Sequence, residues 1–157
     1  MKEISIMDKN ILGTNIVAQV GILVHDIEKT SQVYADFLGV EKPRCQVTGA
    51  YDEALTEYMG KPSKARAKLA FFKVGPTLEL ELIEPDQEPS TWRNDLDRYG
   101  EGVHHIAFVI KGMKEKIAVL GRNNMPLLQK GEYPGGRYAY IDANEDLKVV
   151  LELLEND

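Results

Sequence analysis

At 157 residues the chain has the length of one domain and can bury roughly 70% of its unfolded surface, with 43% hydrophobic and 28% charged residues, as globular proteins have. A net charge of −6 argues against a nucleic-acid or membrane-surface partner, which would call for a basic chain. A local basic patch for an anionic substrate stays open.

Residues 1–10, MKEISIMDKN, hold no apolar stretch of signal-peptide length, and no run is long enough to span a bilayer. A reducing, cytoplasmic setting is therefore expected. Residues 16–24 are rich in β-branched side chains and stop at His25-Asp26, the pattern of a strand followed by a helix cap. Ile27, Tyr34, Phe37 and Leu38 sit at near-helical spacing, and Gly39 is placed to end the helix. A second strand is expected at 44–48, where the only cysteine, Cys45, reads as a small reduced side chain. Residues 51–65 are charged, with helical potential in Leu55, Tyr58 and Met59. Such a segment reads either as a substrate lid or as a plain insertion or subunit contact. Strands follow at 66–74 and 77–84, with Gly75-Pro76 as the turn.

Residues 85–102 read as a linker with a short helix near 91–97. The order then restarts with a strand at 103–110 and a helix face marked by Met113, Ile117 and Leu120. Strands are expected at 127–130, 137–142 and 147–154, with Pro134-Gly135-Gly136 turning between the first two. The reading is β-α-β-β-β twice: an α+β fold in a single domain over 1–157, with module 1 near 16–84 and module 2 near 103–155.

The modules resemble each other in residues as well as in order. AQVGILVHDIEK and LELIEP in the first align with HHIAFVIKGMKEK and LELLEN in the second. Gln19 then falls opposite His105, and Glu81 opposite Glu152. Strand alternation puts Gln19, Gly21 and Leu23 on one face and Ala18, Val20, Ile22 and Val24 on the other. His105, Glu81 and Glu152 fall on the same face as Gln19, and the small Gly21 and Ala107 leave room beside two of them. Buried carboxylates are costly unless paired or bound to a cation, so one shared metal site is expected. His104 reads as a structural residue on the helix side, and His25 as a strand end. Glu84 and Glu155 also match across the repeat but point away. Gln19 and Glu81 lie 62 positions apart and His105 and Glu152 only 47, the excess falling in 51–65.

At these residues the chain resembles the vicinal oxygen chelate (glyoxalase/bleomycin resistance/dioxygenase) superfamily, whose members pair two βαβββ modules into a cupped, mostly antiparallel sheet with helices outside, around a divalent metal. GEGVHHIAF, LELIEP and VVLELLE look most like methylmalonyl-CoA epimerases. The resemblance implies a metal set of Gln19, Glu81, His105 and Glu152. Three departures stand out. Epimerases usually carry a histidine where this chain has Gln19, and a Gln, Glu, His, Glu set is instead similar to glyoxalase I, a lactoylglutathione lyase. The 51–65 insertion is foreign to compact epimerases, and Lys68 stands roughly where some of them place a second acid-base carboxylate.

Such a donor set suits Zn, Ni, Co or Mn. The resemblance implies an isomerase or lyase that polarises a carbonyl and works through an enediolate. Glu152 is the expected acid-base, with Glu81 chiefly a ligand. Arg137, after the Gly-Gly turn, is a weak candidate for an anionic substrate group. The expected substrate is an acyl thioester or a hemithioacetal, and the expected assembly a homodimer. Epimerase chemistry is favoured, with lactoylglutathione lyase next and a non-catalytic drug-binding protein third. An iron dioxygenase would want two histidines, and this set offers one.

Overall fold

The computed structural model describes residues 8–157. Most of the leader reading, on residues 1–10, lies outside the described residues. Module 1 comprises β1 (Gln19–Leu23), α1 (Ile27–Leu38), β2 (Gln46–Val47), β5 (Ala67–Val74) and β6 (Leu78–Pro85), with α2 (Tyr51–Ala54), β3 (Glu57–Tyr58) and β4 (Lys61–Pro62) inserted after β2. Helix α3 (Thr91–Tyr99) follows as the linker. Module 2 comprises β7 (Gly102–Val109), α4 (Met113–Arg122), β8 (Leu127–Tyr133), β9 (Gly136–Ala143), the single turn α5 (Asn144–Leu147) and β10 (Val149–Asn156).

All ten strands form one sheet in the order β2-β5-β6-β1-β7-β10-β9-β8-β3-β4. Among the described residues only β1–β6 and β7–β10 pair in parallel; the modules join antiparallel through β1 and β7. The segment 51–65 adds a short helix and two short strands between β2 and β5. It leaves module 1 beside the edge strand β2 and pairs β3 with β8, the edge strand of module 2. Opposite ends of the strand order are thereby joined by residues 48–56, so the sheet must curl into a half-barrel.

Local signals set the helices. Asp26 caps α1, its Oδ1 accepting the amide of Lys29 at 3.1 Å, and Gly39 ends it in the left-handed region at φ 69°. The matched pair Glu84 and Glu155 points away from the cup as expected and has a shared task. Glu84 accepts the first amide of α1, from Ile27 at 3.0 Å; Glu155 accepts the amides of Gly112 and Met113 at the start of α4. Each module thus ties its helix start to its last strand.

The cores follow the alternation read from the strands. Outside, Ile27 and Ala35 of α1 pack on Phe72 and Leu82, while Met113 and Leu120 of α4 pack on Ile141, Leu151 and Leu153. Inside the cup, Trp92 and Leu96 of α3 pack on Leu23, Ile83, Tyr140 and Val150. So α1 and α4 lie on the outer face as expected, and the linker helix closes the inner face at one end. No helix among the described residues is long and apolar enough to cross a membrane.

Candidate metal centre

The strands β6, β1, β7 and β10 are adjacent at the centre of the sheet, and each carries one of the four residues singled out by the repeat. Their side chains converge on the inner face. His105 Nε2 lies 3.0 Å from Gln19 Oε1 and 3.6 Å from both Glu81 Oε1 and Glu152 Oε1. Gln19, Glu81 and Glu152 are all at most 6% exposed, and His105 is fully buried.

Burial pushes the Glu81 carboxyl well above its usual range, with the charges of Glu152 and Glu79 adding to the effect. Burial also raises Glu152 to about 8; a hydrogen bond from Tyr140 opposes this and Glu79 reinforces it. Burial, with His104 beside it, drives His105 far below its ordinary value, so the imidazole is neutral. Glu81 Oε1 is buried without a hydrogen-bond partner. Two acids beside an uncharged imidazole must either hold protons or face a cation.

The donors fit a divalent ion in kind. Ligand bonds of about 2.0–2.2 Å put neighbouring donors roughly 3–3.5 Å apart, close to the spacings measured here. Among the described residues no three His, Cys, Asp or Glu side chains are drawn into a tight metal group. The donor types and their 3.0–3.6 Å distances from His105 Nε2 are those a divalent ion would use.

The supporting residues differ between modules. Gln19 donates its Nε2 to Glu79 at 3.0 Å, which turns its amide oxygen toward His105. His105 is held by two neighbours, of which the sequence reading placed one, His104, differently. The room left by Gly21 is taken by the imidazole: a Cβ there would stand 2.0 Å from His105 Cε1. His104 was expected on the helix side. The β1–β7 register instead shifts between Gly21↔His105 and Ile22↔Val103, leaving His104 as the extra residue of a bulge. It is buried, with its Nδ1 2.9 Å from His105 Nδ1 and its Nε2 3.1 Å from Thr91 Oγ1. Burial holds its pKa down at about 3.

The half-barrel holds a cavity of about 780 Å³ lined by Gln19, Glu81 and Glu152 of this cluster. Its inner wall includes Trp92, Tyr138 and Tyr140, and the insertion contributes Glu53, Ala54 and Thr56. Trp92 Nε1 donates to the Tyr140 hydroxyl at 3.0 Å. Tyr140 lies directly opposite Glu152 in the β9–β10 register. The sequence reading missed Trp92 and Tyr140; alternation from Glu152 across a hairpin could have found Tyr140, but nothing local pointed to Trp92.

Other candidates lie elsewhere. Arg137 does not line the cavity; its guanidinium donates to Glu155 at 2.9 Å and Asp157 at 2.6 Å. Lys68 pairs with Glu84 at 3.4 Å and is absent from the cavity wall. Cys45 is a free thiol, half-buried against the α1 core, with its pKa raised mainly by burial.

Comparison with known proteins supplies the remaining findings. The family described as Glyoxalase/Bleomycin resistance protein/Dioxygenase superfamily matches residues 18–141, well over half of the chain. An uncharacterised Bacillus subtilis protein, YqjC, is 28% identical over 144 residues, covering 90% of this chain and 92% of its own. A 2-epi-5-epi-valiolone epimerase from an Actinomyces species is 29% identical over 146 residues, covering 85% of this chain and 76% of its own. In fold, the chain is similar to a Streptomyces coelicolor methylmalonyl-CoA epimerase variant solved with 2-nitronate-propionyl-CoA. The TM-score is 0.60 at 21% identity, over 89% of this chain and 96% of that one.

Proposed function

The chain belongs to the Glyoxalase/Bleomycin resistance protein/Dioxygenase superfamily, and on that premise we propose that it is a divalent-cation-dependent epimerase. Its reaction would remove a proton from a carbon next to a carbonyl and return it to the same carbon. The observation that carries the reading is the buried pair Glu81 and Glu152 around a neutral His105, with one Glu81 oxygen left without a partner. Two relatives described as epimerases, one in sequence and one in fold, support the same chemistry.

Gln19, Glu81, His105 and Glu152 are the residues that would hold the cation. A bound divalent cation supplies positive charge at the substrate carbonyl and so acidifies the adjacent C–H. Glu152 takes the proton and returns it, with the Tyr140 hydroxyl donating a hydrogen bond to its carboxyl. Glu81 serves chiefly as a ligand. Glu79 holds the Gln19 amide so that its oxygen faces inward. A ligating Nε2 on His105 requires its proton on Nδ1, where His104 Nδ1 accepts it. His104 then donates from Nε2 to Thr91. Trp92 and the insertion line the cavity beside these residues.

One observation favours a second reading: Gln19 in place of the first-strand histidine is similar to the set of lactoylglutathione lyase, in which the proton returns to the neighbouring carbon. Deuterium exchange tests the first. Glu152→Gln should keep most of the cation, measured by elemental analysis, and lose roughly 10²–10⁴-fold in exchange at the substrate α-carbon. Unchanged exchange would remove Glu152 as the base. Chelation that leaves full activity would remove the cation.

A further inference from the structure

Charge on the cavity wall bears on what can enter it. Besides Glu81 and Glu152, three carboxylates line the cavity: Glu53 from α2, Glu79 from β6 and Glu132 from β8. Lys73 is the one cationic side chain on the wall among the described residues, and it stands opposite Glu79 in the β5–β6 register. The nearby Arg137 is committed to Glu155, Asp157 and, at 3.6 Å, Glu132. A dication would balance Glu81 and Glu152 and leave the rest of the wall net negative.

An acyl thioester bearing a free carboxylate, or a glutathione hemithioacetal, would carry its own negative charge into this wall. Repulsion and desolvation would then oppose binding, with no arginine fork to offset them. The neutral polar groups point to a different guest. Gln46, Thr48 and Thr77 offer hydroxyl and amide groups, the surplus carboxylates accept hydrogen bonds from hydroxyls, and Trp92 and Tyr140 add an aromatic surface.

Resting on the epimerase reading above, we infer that the substrate is an uncharged, hydroxyl-rich ketone, with the exchanging proton on the carbon beside its carbonyl. The bond balance is simple: the C–H pair passes to the carbonyl carbon–oxygen system as Glu152 takes the proton, and the same carboxyl returns it.

The test uses the cation-loaded protein in deuterium oxide with three probes: an inosose (a cyclic pentahydroxy ketone), methylmalonyl-CoA, and the hemithioacetal of methylglyoxal with glutathione. Deuterium entry at the α-carbon is followed by NMR. The ketone should exchange at least tenfold faster, by kcat/KM, than either anion. Faster exchange of an anion would overturn the substrate inference and leave the proton-transfer reading standing, whereas no exchange with any probe would overturn both. A charge variant checks the cause. Glu53→Lys should shift the ratio of thioester to ketone exchange about threefold or more toward the thioester, and a ratio that holds or moves the other way would overturn the charge account.

Discussion

Module 1 carries Gln19 on a regular ladder and holds its amide from the side, through Glu79; module 2 breaks its ladder at a bulge and holds the His105 imidazole from behind, through His104. Both use the same scaffold: a parallel pairing of first and last strands, a helix packed outside, and a glutamate tying the helix start to the last strand. The contrast teaches that duplication conserves packing more strictly than it conserves the site. Packing asks only for apolar volume at alternate positions, whereas each inward donor needs its own hydrogen-bond partner. The edges differ as well. Strand β2 is two residues long, while β8 runs for seven and accepts the inserted hairpin.

If the scaffold is symmetric, equal damage to both halves should cost equally. Leu82 and Leu153 occupy matched positions and are both fully buried, so Leu82→Ala and Leu153→Ala should each cost about 2–5 kcal/mol in denaturant unfolding. A large difference would show that one module carries most of the stability.

The site should respond unequally. Gly21 faces His105 and Ala107 faces Gln19 in the same pairing. Gly21→Ala forces a methyl into the imidazole and should weaken divalent-cation affinity by about 100-fold, whereas Ala107→Gly should leave it within about threefold. Calorimetric titration with zinc distinguishes the two, and similar losses would make Gly21 unremarkable.

His104→Phe keeps the ring and removes the acceptor. Cation affinity should fall by about 10-fold, and the ¹⁵N shifts of His105 in the loaded protein should show a mixture of tautomers. A purely structural residue would leave those shifts alone.

Without a bound cation, pH should read the buried acids. Glu152 titrates near 8 when folded against 4.5 as a free group, so its contribution to stability is full below 4.5 and is lost as pH rises toward 8. Glu81 shifts the same way. His104, at about 3 against 6.5, contributes fully above 6.5 and loses its contribution as pH falls. The melting temperature should therefore decline between pH 6.5 and 8, and saturating cation should flatten the decline. A rise over that window would contradict the raised carboxyls.

The smallest effect concerns the inserted hairpin. Lys130 and Glu57 pair at 3.3 Å on the surface, so Lys130→Ala should cost at most about 0.5 kcal/mol. The backbone bond from Met59 to Leu128 and the β3–β8 ladder do the holding.

Much of this was legible because it is periodic. Strand alternation sorted Gln19, Glu81, His105 and Glu152 onto one face, and the repeat of LELIEP and LELLEN paired them across modules. Asp26 and Gly39 marked both ends of α1 within a residue. Periodicity failed where one residue was out of step: His104 was sorted by strict alternation, and a bulge between the Gly21↔His105 and Ile22↔Val103 pairs takes it out of that alternation. Arg137 looked free in sequence because its partners, Glu155 and Asp157, lie across a hairpin.

The sequence alone determined two βαβββ units and which of their faces is polar, since alternation and helical spacing act within a few residues. Only the tertiary structure decided that α3 packs on the inner face, that residues 51–65 pair with β8 across the half-barrel, and that the cavity wall is acidic. Those outcomes depend on contacts between residues far apart in the chain, whose free energy no local pattern encodes.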